Sequence, residues 1–258
     1  RIPTCVVASM GTTGVGAVDP LRPIGEICRE YDVFFHVDAA WGGSALILPE
    51  ERWMADGVEL VDSFVFNPHK WLMTNFYCSA YFVRDPEALV RTLSILPEYL
   101  KTASADGIIN YMDWSVPLGR RFRALKLWFV IRSYGVDGLR RIIADHIGWA
   151  ARLAGEIEAA ADFELVAPLS LALLTFRYHP PQTDDGEDLD ALNQSLVERL
   201  NDSGTLYLTQ TRVRGAYAIR FSIGQTQTEW RHVEAAWQTI QETARTPEAG
   251  AAKGELTS

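Results

Sequence analysis

The sequence predicts an α/β protein, with a mainly parallel sheet domain first and a small α+β domain after it. Three observations carry this. Short runs rich in β-branched and aromatic residues alternate with a helical repeat in the first third. Ionisable residues sit at the carboxyl ends of two of those runs. Beyond Gly135 the pattern changes to a mixture of long helices and hairpin-spaced strands.

Val6–Met10, Val33–Ala39, Phe64–Asn67 and Ala80–Arg84 read as strands. Pro20–Tyr31 carries Leu21, Ile24, Ile27 and Cys28 at helical spacing, with proline near the start. A strand-helix-strand order implies parallel pairing through a right-handed crossover. The stretch 96–114 lacks periodicity and contains Ala-Ser-Ala-Asp-Gly, so it reads as a mobile loop; loops of this length in compact domains are usually functional. Leu118–Tyr134 reads as a helix with Phe122, Leu125, Trp128 and Phe129 on one stripe, ended by Gly135. A second helix follows over Val136–Ala161. Then come strands at Phe163–Ala167 and Leu171–Tyr178, a helix at Asp188–Leu200, strands at Thr205–Val213 and Tyr217–Ile223, and a helix at Glu229–Thr243. The domains are accordingly 1–135 and 136–245, with 246–258 a disordered tail.

The chain has 258 residues and a formal net charge of −9, which argues against nucleic acid or anionic membrane as a bulk electrostatic partner. No run approaches the length of a membrane-spanning helix, and Arg1-Ile-Pro-Thr-Cys lacks the features of a signal peptide, so a cytoplasmic location is expected. Cys5, Cys28 and Cys78 follow no pattern and read as reduced thiols. No Cys/His/Asp spacing suggests a metal, and His146 and His179 read as structural or surface residues. Gly11-Thr-Thr-Gly-Val-Gly resembles a phosphate loop but reads better as a tight turn presenting Thr13.

Chemistry concentrates at Lys70, in Asp62-Ser-Phe-Val-Phe-Asn-Pro-His-Lys70-Trp-Leu. It is one of four lysines, with Lys101, Lys126 and Lys253; the other twenty basic residues are arginine. Lysine is the basic side chain that can act as an amine nucleophile near neutral pH when desolvated. Its place after an apolar run predicts a strand end with a buried stem, suited to a Schiff base with an aldehyde cofactor. On this segment alone, a lysine snorkelling from a strand edge serves equally well. Val33-Phe-Phe-His-Val-Asp-Ala-Ala-Trp41 breaks the tie. It reads as a fully buried strand ending in the ionisable pair His36 and Asp38, and a carboxylate there needs a charged partner. In open α/β sheets the ligand crevice lies at the carboxyl ends of the strands. A lysine that binds an aldehyde and a carboxylate that keeps a pyridine nitrogen protonated are what pyridoxal 5′-phosphate requires.

Six segments in order also resemble the carboxyl-terminal half of group II pyridoxal-phosphate-dependent decarboxylases, the aromatic-L-amino-acid branch above all. They are Gly11-Thr-Thr-Gly, His36-Val-Asp-Ala-Ala-Trp-Gly-Gly-Ser44, Gly57-Val-Glu-Leu-Val-Asp-Ser-Phe64, Asn67-Pro-His-Lys-Trp-Leu72, Asn75-Phe-Tyr-Cys-Ser79 and Pro117-Leu-Gly-Arg-Arg-Phe-Arg123. The resemblance implies part of the large domain of the fold type I transferases plus the small carboxyl-terminal domain. It implies Lys70 as the cofactor-bearing lysine, Asp38 as partner of the pyridine nitrogen and Ala40 against one ring face. Thr13 would lie near the ring hydroxyl and the substrate carboxylate, and Asn67 and His69 near the phosphate and the substrate. Tyr99 would reprotonate Cα from a closing loop, and Gly119 would approach the phosphate of a neighbouring subunit. The clustered arginines at Gly119–Arg123 fit a phosphate or partner-subunit role better than a solvated helix face.

Family members are nearly twice this length. The ring-stacking residue and most phosphate ligands are therefore expected outside this sequence, on missing sequence or on a second chain that supplies the amino-terminal half, within a homodimer-type assembly. The implied reaction is decarboxylation of an L-amino acid, aromatic in the first instance. Glutamate, histidine or sulfinoalanine decarboxylase, an aldehyde synthase or aminotransferase on the same fold, and a non-catalytic half-chain acting as an interaction subunit are the alternatives.

Overall fold

The computed structural model describes residues 2–94, 109–181, 183 and 187–246. The chain divides into two compact units, one of residues 1–10 and 19–136, the other of 11–18 and 137–258.

The first unit is built on four strands, β1 (Cys5–Ser9), β2 (Phe34–Asp38), β3 (Ser63–Phe66) and β4 (Ala80–Val83), hydrogen-bonded in that order. β1, β2 and β3 run parallel, and β4 returns antiparallel to β3. The crossover from β1 to β2 is helix α1 (Leu21–Glu30), whose Leu21, Gly25 and Cys28 face inward. Between β2 and β3 the chain makes three 3-10 turns, Gly42–Ile47, Pro49–Ala55 and Val58–Leu60, where paired glycines and Pro49 disfavour a regular α-helix. After β3 come the single-turn helix α2 (Pro68–Trp71) and, past β4, α3 (Pro86–Leu93), capped by the Asp85 side chain on the Ala88 amide.

β2 differs from the fully buried strand that its composition suggests. Phe35 and Val37 are completely buried with Ala8 and Met10, whereas Val7, Phe34 and Tyr81 on the opposite face are 59%, 43% and 48% exposed. The alternation is that of a strand with one face packed and the other open among the described residues. Asp62 secures the amino end of β2 by accepting the Phe35 amide at 2.8 Å, and His36 Nδ1 lies 2.7 Å from Ser63 Oγ on β3.

α4 (Arg123–Ala159) is a helical run broken at Gly135, whose φ of 66° and ψ of 171° are outside the helical region. The helix begins five residues later than the periodicity suggests. Gly119 and the neighbouring arginines explain this, because glycine disfavours helix and cations oppose the dipole at a helix start.

The second unit has an antiparallel sheet in the order β5 (Phe163–Leu165), β6 (Leu173–Tyr178), β8 (Ala216–Ser222), β7 (Thr209–Val213), with helices α5 (Glu187–Asp202) and α6 (Trp230–Arg245). β5, β6 and β7 are shorter than the sequence suggests, the last two for local reasons. Leu171 takes a positive φ of 51°, which turns the chain before β6. Asn201 donates to the Leu208 carbonyl and accepts its amide, holding 205–208 as a loop ahead of β7. The core joins Phe163, Leu174, Phe176, Leu196 and Trp237; the rings of Phe163 and Trp237 meet edge-on at 4.8 Å. His146 is buried, and desolvation pushes its pKa down. His179 is held between Glu164 and the Thr183 carbonyl. Glu229 and His232 close a reciprocal cap at the start of α6.

Gly57 joins two 3-10 turns with a φ of +93°, and a Cβ there would sit 2.5 Å from the backbone of Arg22. Gly57→Ala is therefore expected to destabilise the protein by about 1–3 kcal/mol, from combined backbone strain and overpacking. Urea unfolding at unchanged slope measures it; an unaltered midpoint would mean that the turn relaxes freely.

Candidate active site

Because β1, β2 and β3 are parallel, their carboxyl ends open on one edge of the sheet. Ser9 pairs with Asp38, and Asp38 with Val65, so the Asp38 carboxylate stands level with the last residues of β3. Two backbone bonds continue the alignment past the strands: the Ala39 amide donates to Val65 O at 2.9 Å, and the Asn67 amide to Ala40 O at 3.0 Å. Asp38 is exposed, and its Oδ1 accepts the Ala40 amide at 2.9 Å, which orients the carboxylate and leaves its other oxygen open.

Lys70 lies one step beyond this edge. Asn67 takes an extended conformation, Pro68 occupies the first helical position, and the Lys70 amide donates to Asn67 O at 2.9 Å. The lysine thus belongs to the turn of α2 rather than to the strand end, and its side chain is exposed instead of having a buried stem. The turn sends Pro68 and Trp71 inward and Lys70 outward. Trp71 is fully buried and stacks on Trp41 with ring centroids 4.8 Å apart and an interplanar angle of 17°. This aromatic pair anchors the turn that carries the lysine.

His69 is fixed on the same turn. Its Nδ1 lies 2.7 Å from Cys78 O and 3.0 Å from Cys78 N, and Phe76 meets its ring edge-on at 4.9 Å. Asn67 Oδ1 accepts from Ser79 Oγ at 2.6 Å. Both side chains are held by one stretch, residues 76–79. The motif Asn75–Ser79 marks that stretch in the sequence, but nothing in it reveals that Ser79 and the Cys78 backbone serve Asn67 and His69.

Asp38, Ala40, Asn67, His69 and Lys70 are therefore brought together at one sheet edge. Thr13 is exposed on the turn of 11–18, which groups with the second unit: Ser170 Oγ donates to Gly16 O at 2.6 Å, and Arg220 Nε to Gly14 O at 3.1 Å. Gly119 lies in the irregular stretch before α4, and a Cβ added there would meet nothing within 4 Å. Tyr99 is outside the described residues. Among the described residues no helix is long and apolar enough to cross a membrane.

A carboxylate ending one parallel strand and a lysine on the turn after its neighbour, with an asparagine and a histidine flanking the lysine, define a class. The chain belongs to the pyridoxal-dependent decarboxylases: the conserved domain of that family matches residues 1–179. Tyrosine decarboxylase 4 of Petroselinum crispum is 45% identical over 248 residues, covering 94% of this chain and 49% of that protein. The crystal structure of Oryza sativa TDC with PLP and tryptamine superposes with a TM-score of 0.90 at 40% identity, over 94% of this chain and 51% of that one. Rhodiola rosea 4-hydroxyphenylacetaldehyde synthase gives 0.85 at 40% identity, over 94% and 49%. The chain spans about half the length of the relatives it matches. Its fold is correspondingly that of the fold type I decarboxylases.

Removing the buried Trp71 should be costly. Trp71→Ala is expected to lower stability by about 3–5 kcal/mol, the usual range for deleting a buried tryptophan. Chemical denaturation of the full-length protein tests this, and a loss below 1 kcal/mol would show that Trp41 collapses into the space.

Proposed function

We propose that this chain forms the carboxyl-terminal half of a pyridoxal-phosphate-dependent decarboxylase of L-amino acids, aromatic ones in the first instance. One observation carries the reading: Asp38 ends β2 and Lys70 follows the neighbouring parallel β3, and the chain beyond the two strands is joined by the Asn67–Ala40 backbone bond. The residues present suit the cofactor. Lys70 offers an accessible amine for its aldehyde carbon, and Asp38 an open carboxylate oxygen for a protonated ring nitrogen. Ala40 is a small residue that a planar ring can approach, and Asn67 and His69 are polar groups with fixed orientations. Bound pyridoxal phosphate supplies the electron sink for the pair left on Cα when carbon dioxide departs.

The protein's own groups do the rest. Asp38 would hold a proton on the ring nitrogen of a bound cofactor, with the carboxylate's geometry set by the Ala40 amide. Lys70 would hold the cofactor through its amine, the exposed group on the α2 turn. Thr13 is assigned to the substrate carboxylate and the ring hydroxyl, Gly119 to a neighbouring subunit's phosphate, and Tyr99 to delivery of the proton to Cα; family resemblance supports these three roles.

The aromatic preference rests on the tyrosine decarboxylase and TDC relatives. An aldehyde product is the second reading, favoured by the equal identity to the aldehyde synthase. The amino-terminal half, in the same polypeptide or on a second one, would cover the open face at Val7, Phe34 and Tyr81, and a two-fold dimer would complete the site.

The test uses the full-length protein with pyridoxal phosphate and L-tyrosine or L-tryptophan. Carbon dioxide and the amine should appear in equal amounts; aldehyde and ammonia would select the second reading, and no turnover the non-catalytic one. Borohydride reduction and peptide mapping should place the pyridoxyl group on Lys70, and label on Lys126 or Lys101 would sink that assignment.

Asp38→Asn keeps the shape of the side chain but removes its charge, and a charge-assisted bond is roughly twice as strong as a neutral one. Turnover should fall on the order of 10²-fold or more while the cofactor is largely retained, in line with removal of a pre-organised electrostatic group. Near wild-type turnover would show that the carboxylate is not the partner of the ring nitrogen.

A further inference from the structure

The residues that hold His69 are themselves held from an unexpected direction. Arg123, the first residue of α4, grips the 76–79 stretch twice. Its guanidinium donates through Nη2 to the Tyr77 hydroxyl and lies 4.2 Å from the centroid of the Tyr77 ring. Its carbonyl oxygen is 3.8 Å from the thiol of Cys78. Cys78 is the residue whose backbone meets His69 Nδ1, and it is 4% exposed, with its thiol pushed up in pKa by burial. A short path therefore runs from Arg123 through Tyr77 and Cys78 to the imidazole beside Lys70.

The electrostatics make Tyr77 the pivot of this path. Arg121, Arg123 and Lys126 crowd the start of α4, where the helix dipole disfavours cations. None of the three pairs with a carboxylate among the described residues. Among the described residues Arg123 Nε is buried with no acceptor, and the Tyr77 oxygen is the side-chain group that receives this guanidinium. The Arg123 hydrogen bond, with Arg121 and Lys126 nearby, holds the Tyr77 phenol below the usual tyrosine range. Removing the hydroxyl would leave a part-buried guanidinium without its acceptor, and such a group moves toward solvent rather than remain unpaired.

We propose that Tyr77 and Arg123 form a positioning clamp that fixes the His69 ring through Cys78, so that Nδ1 is occupied and Nε2 is directed to the ligand. Neither residue is catalytic; both act through the histidine. Only the kinetic arm of the test rests on the decarboxylase reading.

The experiment uses full-length protein with pyridoxal phosphate and isotope-labelled histidine rings, the His69 signal being assigned by its loss in His69→Gln. Tyr77→Phe keeps the ring and removes the hydroxyl; Arg123→Lys breaks the same contact from the other side. Arg22→Gln, which loses an exposed ion pair with Asp56, is the control. The clamp requires that both clamp variants shift the His69 ring signals while the control leaves them in place. Turnover should fall about tenfold with KM little changed, as for a reacting group displaced by a fraction of an ångström. An unmoved His69 signal in Tyr77→Phe overturns the clamp, as does an equal shift in Arg22→Gln, or a shift with unchanged turnover in an active enzyme. If the wild-type protein released no carbon dioxide, the decarboxylase reading would fall, and the His69 shift would still decide whether the clamp exists.

Discussion

The arrangement around Lys70 depends on one hydrogen bond, from the Asn67 amide to the Ala40 carbonyl. It carries the register of β2 and β3 beyond the strands and fixes where the chain may turn. Pro68 then starts a helix that can last only one turn before Trp71 must enter the core. Had the chain run straight on, alternation would have sent Lys70 and Asp38 to positions governed by pleat alone. The turn instead leaves Lys70 exposed beyond the strand ends while Trp71 packs on Trp41.

Rigidity and exposure are divided between neighbours here. Trp71 and Pro68 are buried, while Lys70 is free to reach a ligand. His69 and Asn67 are restrained by the Cys78 backbone and the Ser79 hydroxyl, with Phe76 packed edge-on against the His69 ring. Hydrogen bonds to a backbone set a ring's orientation more narrowly than an apolar contact does, which suits groups that must meet a ligand at a defined angle.

The two units bury their cores by different means. The first relies on a mostly parallel sheet with one covered face, its other face showing Val7, Phe34 and Tyr81. The second closes around Phe163, Phe176 and Trp237 with an antiparallel sheet and helices. Apolar side chains left on a sheet face are what a further layer would cover.

The sequence by itself determined the strand-helix-strand order, the candidate residues for the chemistry and the family to which they point. These follow from local composition and motif spacing, which need no tertiary contact to be read. It missed the exposed setting of Lys70, because Pro68 and Trp71 decide it through a helical turn that an apolar run does not announce. It overstated the burial of β2, because a run of phenylalanine and valine looks alike whether one face or both are covered. Tertiary structure alone decided which groups hold Asn67 and His69, and that Arg123 reaches Tyr77 across forty-six residues. Such pairings depend on the closure of the sheet and the entry of α4, and long-range contacts of this kind leave no periodic trace in the chain.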